Sequence, residues 1–174
     1  MTVHVEVQDA SGEPFVPEED AIRFWISKGL QTQGIEWLRG PVLATSVLKD
    51  RGVQLTVRLV GKEESAILNE RYRHRKGPTN VLSFPYDQQT LLDPPLLGDM
   101  VICAPLVTSE AQAQNKELIA HWAHLVIHGF LHLMGYDHET DSDADMMEDM
   151  ERCILQQLDL PDPYHCQNSQ AGHS

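Results

Sequence analysis

The sequence is short of three features that would each indicate a particular class of protein. Only three cysteines occur in 174 residues, Cys103, Cys153 and Cys166, and no two of them form a CxxC pair. Neither a disulfide framework nor a cysteine zinc site is predicted, and a reducing cytoplasm fits this composition. Residues 1–25 lack a basic start followed by an apolar run, which argues against a presequence. No apolar stretch reaches 18 residues, so we expect no membrane-spanning helix.

Basic side chains are scarce in the second part of the chain. Residues 77–174 hold 2 Lys or Arg against 15 Asp or Glu, whereas residues 1–76 hold 11 of each kind. The formal net charge of −13 argues against a protein that coats nucleic acid or binds an anionic membrane. A single basic cluster could face phosphates, and a solvated helix end is the alternative interpretation. It is formed by Arg71, Arg73, Arg75 and Lys76.

Length and periodicity predict one α+β domain. A chain with 41% hydrophobic residues can bury a core of ordinary size. Alternating or β-branched segments predict strands at 3–8, 53–60, 80–86 and 99–104. Helical spacing predicts helices at 17–31, 62–73, 108–134 and 141–158, with a short helix between 37 and 48. We expect a layered domain over residues 1–160, with a mixed sheet of about four strands and helices packed on it, and a flexible tail at 161–174.

The most informative segment runs from His128 to His138. Histidines four residues apart lie on one face of a helix, so His128 and His132 can bind one cation together. A helix continued to residue 138 would carry that histidine about 15 Å away, so the chain must turn, and Gly135 can adopt the left-handed conformation that ends a helix. Three neutral imidazoles leave one tetrahedral position for water, which is the composition of a catalytic zinc site.

Two further histidines precede this segment on the same face of the predicted helix. His121 and His124 are expected to support the ligands or to face solvent, because three ligands are already available without them. The spacing HxxxHxxGxxH is also that of metzincin peptidases, in which a glutamate follows the first histidine as general base. Gly129 stands at that position here. The spacing therefore favours a metal-binding helix and argues against the usual peptidase mechanism.

Two motifs in the middle of the chain resemble those of the YbeY endoribonucleases, a family of zincin-like metal hydrolases. Residues 128–138 read HGFLHLMGYDH, similar to the family's HGxLHLxGYDH. Residues 68–85 carry Leu-Asn and Tyr-Arg followed by PTNVLSFP, like the family's LNxxYR…PTNVLSFP. Residues 97–99, Leu-Gly-Asp, resemble the start of its LGD strand. These motifs are long and occur in the family's order.

The resemblance implies a site, an activity and a partner. It implies zinc ligands at His128, His132 and His138, and an important arginine, Arg73, in a cleft beside the metal. It also implies cleavage of single-stranded RNA, not DNA, in the maturation and quality control of small-subunit ribosomal RNA, in the bacterial cytoplasm or in organelles, of which we expect the cytoplasm. One departure from the family is Lys76, where members commonly carry an aspartate.

Two other functions stay open on the sequence alone. A zinc peptidase would need a general base from elsewhere, with Asp137 or Glu139 nearest in the sequence. A noncatalytic ribosome-assembly module would use the metal mainly to stabilise its fold. Cleavage of peptides would select the first, and ribosome maturation by the metal-free protein would select the second.

Overall fold

The residues that the structure describes form a four-stranded sheet and six helices. The computed structural model describes residues 3–38, 44–86 and 94–164, with backbone alone at 44–47. The strands are β1 (Val3–Asp9), β2 (Val53–Val60), β3 (Val81–Pro85) and β4 (Leu96–Cys103). The helices are α1 (Glu19–Gln31), α2 (Ala44–Arg51), α3 (Lys62–Arg73), α4 (Ala104–Ala113), α5 (Leu118–Leu133) and α6 (Asp141–Gln157). The predicted α+β class with a mixed four-stranded sheet is confirmed.

The sheet has the order β1-β2-β4-β3, in which only the edge strand β3 runs antiparallel to its neighbour. Alternate residues of β2, from Val53 to Leu59, are buried on one face, and the intervening polar residues point to the other. The large core lies on the first face, under α1, α5 and α6. A smaller cluster on the second face joins the sheet to α3 and includes Val60, Leu82 and Leu68.

Helix α5 is the central element of the large core. Ten of its 16 residues are buried, and Trp122 and Phe130 are among the largest fully enclosed side chains of the protein. Its histidines therefore project from a helix that packing holds firmly in place. Within the ranges that the structure describes, no helix is long and apolar enough to cross a membrane.

The single helix predicted at 108–134 is wrong, because the segment forms two helices. Helix α4 begins at Ala104, directly after β4, with a proline in its first turn, and ends at Ala113. Asn115 then takes a φ of 55°, in the left-handed region that asparagine tolerates better than most residues. The Lys116 amide donates to the Ala111 carbonyl across this turn. The connection contains neither glycine nor proline, so its breaking signal was weak.

Other predicted segments differ in their limits. The short helix expected between 37 and 48 is α2, which begins only at Ala44. A tail was expected from residue 161, but Pro163 is buried and Tyr164 hydrogen-bonds to α6, so residues 163 and 164 belong to the folded domain. Residues 165–174 and Cys166 lie outside the described residues, as does most of the connection between β3 and β4.

Candidate metal centre

The three histidines meet at the carboxyl end of α5 and in the turn that follows. Helix α5 ends at Leu133, and Gly135 takes a φ of 103° while its amide donates to the His132 carbonyl. This left-handed turn ends the helix as expected of glycine. His138 returns toward the helix, with its ring centroid 4.9 Å from that of His128 and 5.0 Å from that of His132. The turn predicted at Gly135 is confirmed.

Two of these imidazoles direct one nitrogen each at a common position. The Nε2 atoms of His128 and His132 lie 3.2 Å apart. The other nitrogen of each ring contacts an acceptor: Nδ1 of His132 lies 3.0 Å from the Tyr136 carbonyl oxygen, and Nδ1 of His128 lies 2.5 Å from Oε1 of Glu151. We assign a proton to each Nδ1 on these contacts, which leaves a lone pair on each Nε2.

Two facing lone pairs repel each other unless a cation lies between them. Two nitrogens bound tetrahedrally to one zinc ion are about 3.4 Å apart, close to the observed separation. Ligand atoms of His128, His132 and His138 all lie within 4.8 Å of one another. The donor set therefore fits a zinc ion, and the metal would be held by these three imidazoles.

The environment keeps one of these rings neutral. Burial, together with the nearby charges of His128 and His138, lowers the pKa of His132 to about 4. A histidine must be neutral to bind a metal, so His132 is available as a ligand well below neutral pH.

Glu151 is the residue of this site that the sequence analysis missed. It lies on α6, is fully buried, and belongs to a second group of possible ligands with His124 and His128. Burial acts to raise the pKa of Glu151, but the contacts with His124 and His128 outweigh it and hold that pKa below its usual range. The sequence did contain a signal for its burial. Glu151 lies in the apolar stripe of α6, four residues after Met147 and three before Ile154, where an acid is unexpected.

The two other histidines of α5, His121 and His124, are held inside the protein. His121 is buried, with Nε2 3.0 Å from Oε1 of Glu110 on α4. His124 lies 3.5 Å from Glu151 and packs edge-on against the ring of Tyr164. Neither ring faces solvent; His124 lies beside Glu151, which contacts the proposed ligand His128, whereas His121 contacts Glu110 on α4.

Arg73 lies in the last turn of α3, exposed to solvent. Its positive charge is a minor contribution to the lowered pKa of His132, after burial and the charges of His128 and His138. In the described part of the chain, no carboxylate forms an ion pair with Arg73. The alternative interpretation, in which Arg73 is a structural ion-pair residue, therefore has no support among those residues.

The loop after α3 is tied to the helix by two buried polar side chains. The Ser65 hydroxyl donates to the Thr79 carbonyl and accepts from the Thr79 amide, at 2.8 and 3.0 Å. The Asn69 side-chain amide donates to the Gly77 carbonyl at 2.9 Å. These bonds fix the loop that follows α3 against the helix, and so hold Arg75 and Lys76 near Arg71 and Arg73 at the helix end.

Comparison with known proteins decides the family. The chain matches the family described as Endoribonuclease YbeY over residues 29–159. The chain belongs to this family. Relatives named "Endoribonuclease YbeY" include one from Nitrosococcus oceani, 43% identical over 94% of this chain and 98% of that protein. Another, from Pseudomonas syringae, is 44% identical over 93% of this chain and 88% of that protein.

The predicted family is therefore confirmed, and the prediction of an enzyme of the endoribonuclease class agrees with the name its relatives carry. A solution structure from Thermotoga maritima aligns with 92% of this chain and 97% of its own, at 21% identity and a TM-score of 0.49. The peptidase alternative has no support among these relatives.

Proposed function

We propose that this YbeY family member is a zinc-dependent endoribonuclease that cleaves single-stranded RNA. The observation that carries the proposal is the facing pair of Nε2 atoms on His128 and His132, each with its Nδ1 bonded to an acceptor. His138 completes a set of three ligands that leaves one position open for chemistry. Zinc bound there would supply a Lewis acid for a phosphoryl oxygen and make a water more acidic.

The chain's own residues bind and orient the substrate around that position. Arg73 presents a planar fork of donors, which suits two nonbridging oxygens of one phosphate and stabilises charge that gathers on them during attack. Arg75 and Lys76 are exposed in the loop that follows Arg73 and would contact flanking phosphates. In this proposal Arg73, His128, His132 and His138 are the catalytic residues.

The proposed substrate is a precursor of small-subunit ribosomal RNA, and the proposed compartment is the cytoplasm. The family resemblance supports this substrate, and the three-cysteine composition suits a reducing compartment. A basic cluster on a protein of net charge −13 suits local binding of one strand more than wrapping of a duplex. Small-subunit assembly factors are the expected protein partners.

The test combines metal analysis with a cleavage assay on protein purified without a histidine tag. Wild-type protein should hold about one zinc per chain and cleave single-stranded RNA, whereas His132→Ala should lose most of both. His4→Ala is the matched control, because His4 is an exposed histidine on β1. It should keep the zinc and the activity of the wild type.

Two outcomes would overturn the proposal. Wild-type protein stripped of metal that still cleaves RNA would remove the role of zinc. A His132→Ala variant that supports ribosomal RNA maturation in cells lacking the wild-type protein would favour a noncatalytic assembly role. Accumulation of uncut small-subunit precursor in those cells is the result that we expect.

A further inference from the structure

A carboxylate is completely buried between α6 and α5. Glu151 has no solvent exposure and is surrounded on its own helix by apolar neighbours such as Met147, Ile154 and Leu155. Removing a charged carboxylate from water is costly unless hydrogen bonds or opposite charges compensate it. Glu151 therefore calls for a specific explanation.

Each oxygen of Glu151 has its own partner. Oε1 lies 2.5 Å from Nδ1 of His128, and Oε2 accepts a hydrogen bond from the Tyr164 hydroxyl. Nε2 of His124 lies 3.5 Å from Oε2, a longer and weaker contact. Among the described residues, no lysine or arginine forms an ion pair with Glu151. The compensation comes from imidazoles and a phenol, which places the buried charge directly behind a metal ligand.

Tyr164 is held in place by a small cluster of its own. Its amide donates to Oδ1 of Asp162 at 2.8 Å, and Asp162 pairs with Arg152 at 3.3 Å. The Arg152 guanidinium lies over the Tyr164 ring, 5.0 Å from its centroid. Burial and the charge of Glu151 raise the pKa of the Tyr164 hydroxyl, so it stays protonated and remains a donor.

We propose that Glu151 and Tyr164 are positioning residues for the metal centre. Glu151 accepts a hydrogen bond from the Nδ1–H of His128. This bond fixes the tautomer of the His128 ring and turns its Nε2 toward the position that it shares with Nε2 of His132. Tyr164 binds the other carboxylate oxygen and so fixes the rotation of the carboxyl group. The turn that follows α6, at residues 162–164, is thus part of the metal centre.

The negative charge contributes as well as the geometry. The proposed ligands are three neutral imidazoles around a doubly charged ion, so a buried carboxylate behind one of them increases the ligand's basicity and offsets part of the charge. This inference rests on the proposed metal site. The inference goes beyond that site, because it gives two residues that do not touch the metal a part in the affinity for zinc.

The residues around Glu151 fit a hydrogen-bonded cluster better than a second metal site. His124, His128 and Glu151 are close enough to form a ligand group. The 2.5 Å contact between Nδ1 of His128 and Glu151, however, is that of a short hydrogen bond in which the Nδ1–H donates to the carboxylate. A nitrogen and an oxygen from two residues that bind one zinc ion would lie farther apart, at about 3 Å or more. The geometry thus favours a hydrogen bond over a second ion.

The test measures zinc affinity by competition with a chromophoric chelator, on full-length wild type and three variants. Glu151→Gln keeps an acceptor oxygen but removes the charge, Glu151→Leu removes both, and Tyr164→Phe removes only the hydroxyl. Asp145→Asn is the matched control, an exposed acid on the same helix. We expect zinc affinity to fall about 10- to 100-fold in Glu151→Gln, more in Glu151→Leu, several-fold in Tyr164→Phe, and not in the control.

A second readout separates positioning from a general loss of structure. The absorption spectrum of the cobalt-substituted protein reports the ligand field directly, and it should change in Glu151→Gln and Tyr164→Phe while far-UV circular dichroism stays that of the wild type. Because Tyr164→Phe keeps the ring, it tests the proposal even if the Glu151 variants do not fold.

The outcomes distinguish this inference from the proposed function. If wild-type protein binds no zinc, the metal site itself is wrong. If wild-type protein binds one zinc and folded Glu151→Gln and Tyr164→Phe bind it equally tightly, only the positioning role is overturned. Two zinc ions per wild-type chain, with one lost in Glu151→Gln, would overturn it in favour of a second metal site.

Discussion

Gly129, the residue after the first histidine, shows at the scale of single residues why this metal helix differs from that of a peptidase. A Cβ atom at position 129 would lie 2.7 Å from Sδ of Met100, and Met100 is fully buried in β4. The Ser83 hydroxyl also donates to the Gly129 carbonyl, which holds α5 close to the edge strand. A larger residue here would require the Met100 side chain to move, and glycine itself offers no carboxylate that could act as the general base of a peptidase.

The role of Arg73 can be tested against its basic neighbours. If Arg73 holds a phosphate oxygen only at the reacting centre, Arg73→Ala should lower kcat by about a hundredfold with a smaller effect on RNA binding. Arg73→Lys keeps the charge without the fork and should restore only part of that rate. Arg75→Ala is the control and should weaken binding with little change in kcat. Wild-type cleavage rates in a zinc-loaded Arg73→Ala protein would contradict the assignment.

At the scale of elements, Glu110 links helices α4 and α5 to the residue that precedes β3. It lies on α4, contacts His121 on α5, and accepts from the side-chain amide of Asn80 just before β3. The hydrogen bond with His121 is the main cause that lowers the pKa of Glu110, and Asn80 adds to it. This contact helps to fix the angle between the two helices that replace the single predicted one.

Glu110→Gln should therefore destabilise the protein by about 1 to 2 kcal/mol at pH 7. Because folding lowers the pKa of this carboxyl, its contribution is complete above the ordinary carboxyl value of about 4.5 and is lost as the pH falls through the folded-state value. Urea unfolding at pH 7 and near pH 3 should show a difference between wild type and variant that shrinks at the lower pH. Glu70→Gln, an exposed acid on α3, should show no such difference at either pH.

The elements also show which features a sequence can predict. Helix α3 begins and ends where its charges and the following Gly-Pro indicate, because those signals are local. The ligand turn at Gly135 was predictable for the same reason. The break at Asn115 was not, since asparagine signals a left-handed turn only weakly, and the partnership of Glu151 with His128 depends on how α6 packs against α5, 23 residues away.

For the whole molecule, the distribution of charge limits how RNA can bind. Several arginines outside the basic cluster are already paired with carboxylates: Arg58 binds Glu64 through two nitrogens, and Arg23 and Arg152 pair with acids on their own helices. The exposed face of α6 is acidic, with Asp141, Asp145 and Asp149 in solvent. RNA is therefore expected to contact the protein mainly through the cluster at residues 71–76.

Because few basic residues are available, the affinity for single-stranded RNA should depend only weakly on salt concentration. Each neutralised phosphate of a single strand contributes about −0.7 to the slope of log affinity against log salt concentration, so contacts from Arg71, Arg73, Arg75 and Lys76 give a slope no steeper than about −3. Removing one contact with Lys76→Ala should make the slope shallower by about 0.7, measured by fluorescence anisotropy with labelled single-stranded RNA. Replacing Asp141, Asp143 and Asp145 by asparagine should leave the slope unchanged and cleavage within a few-fold of wild type, because these acids are expected to make no contact with the RNA. A slope steeper than about −5, or a large loss of cleavage in the triple variant, would mean that RNA follows a second path across the molecule and that the acidic helix takes part in binding it.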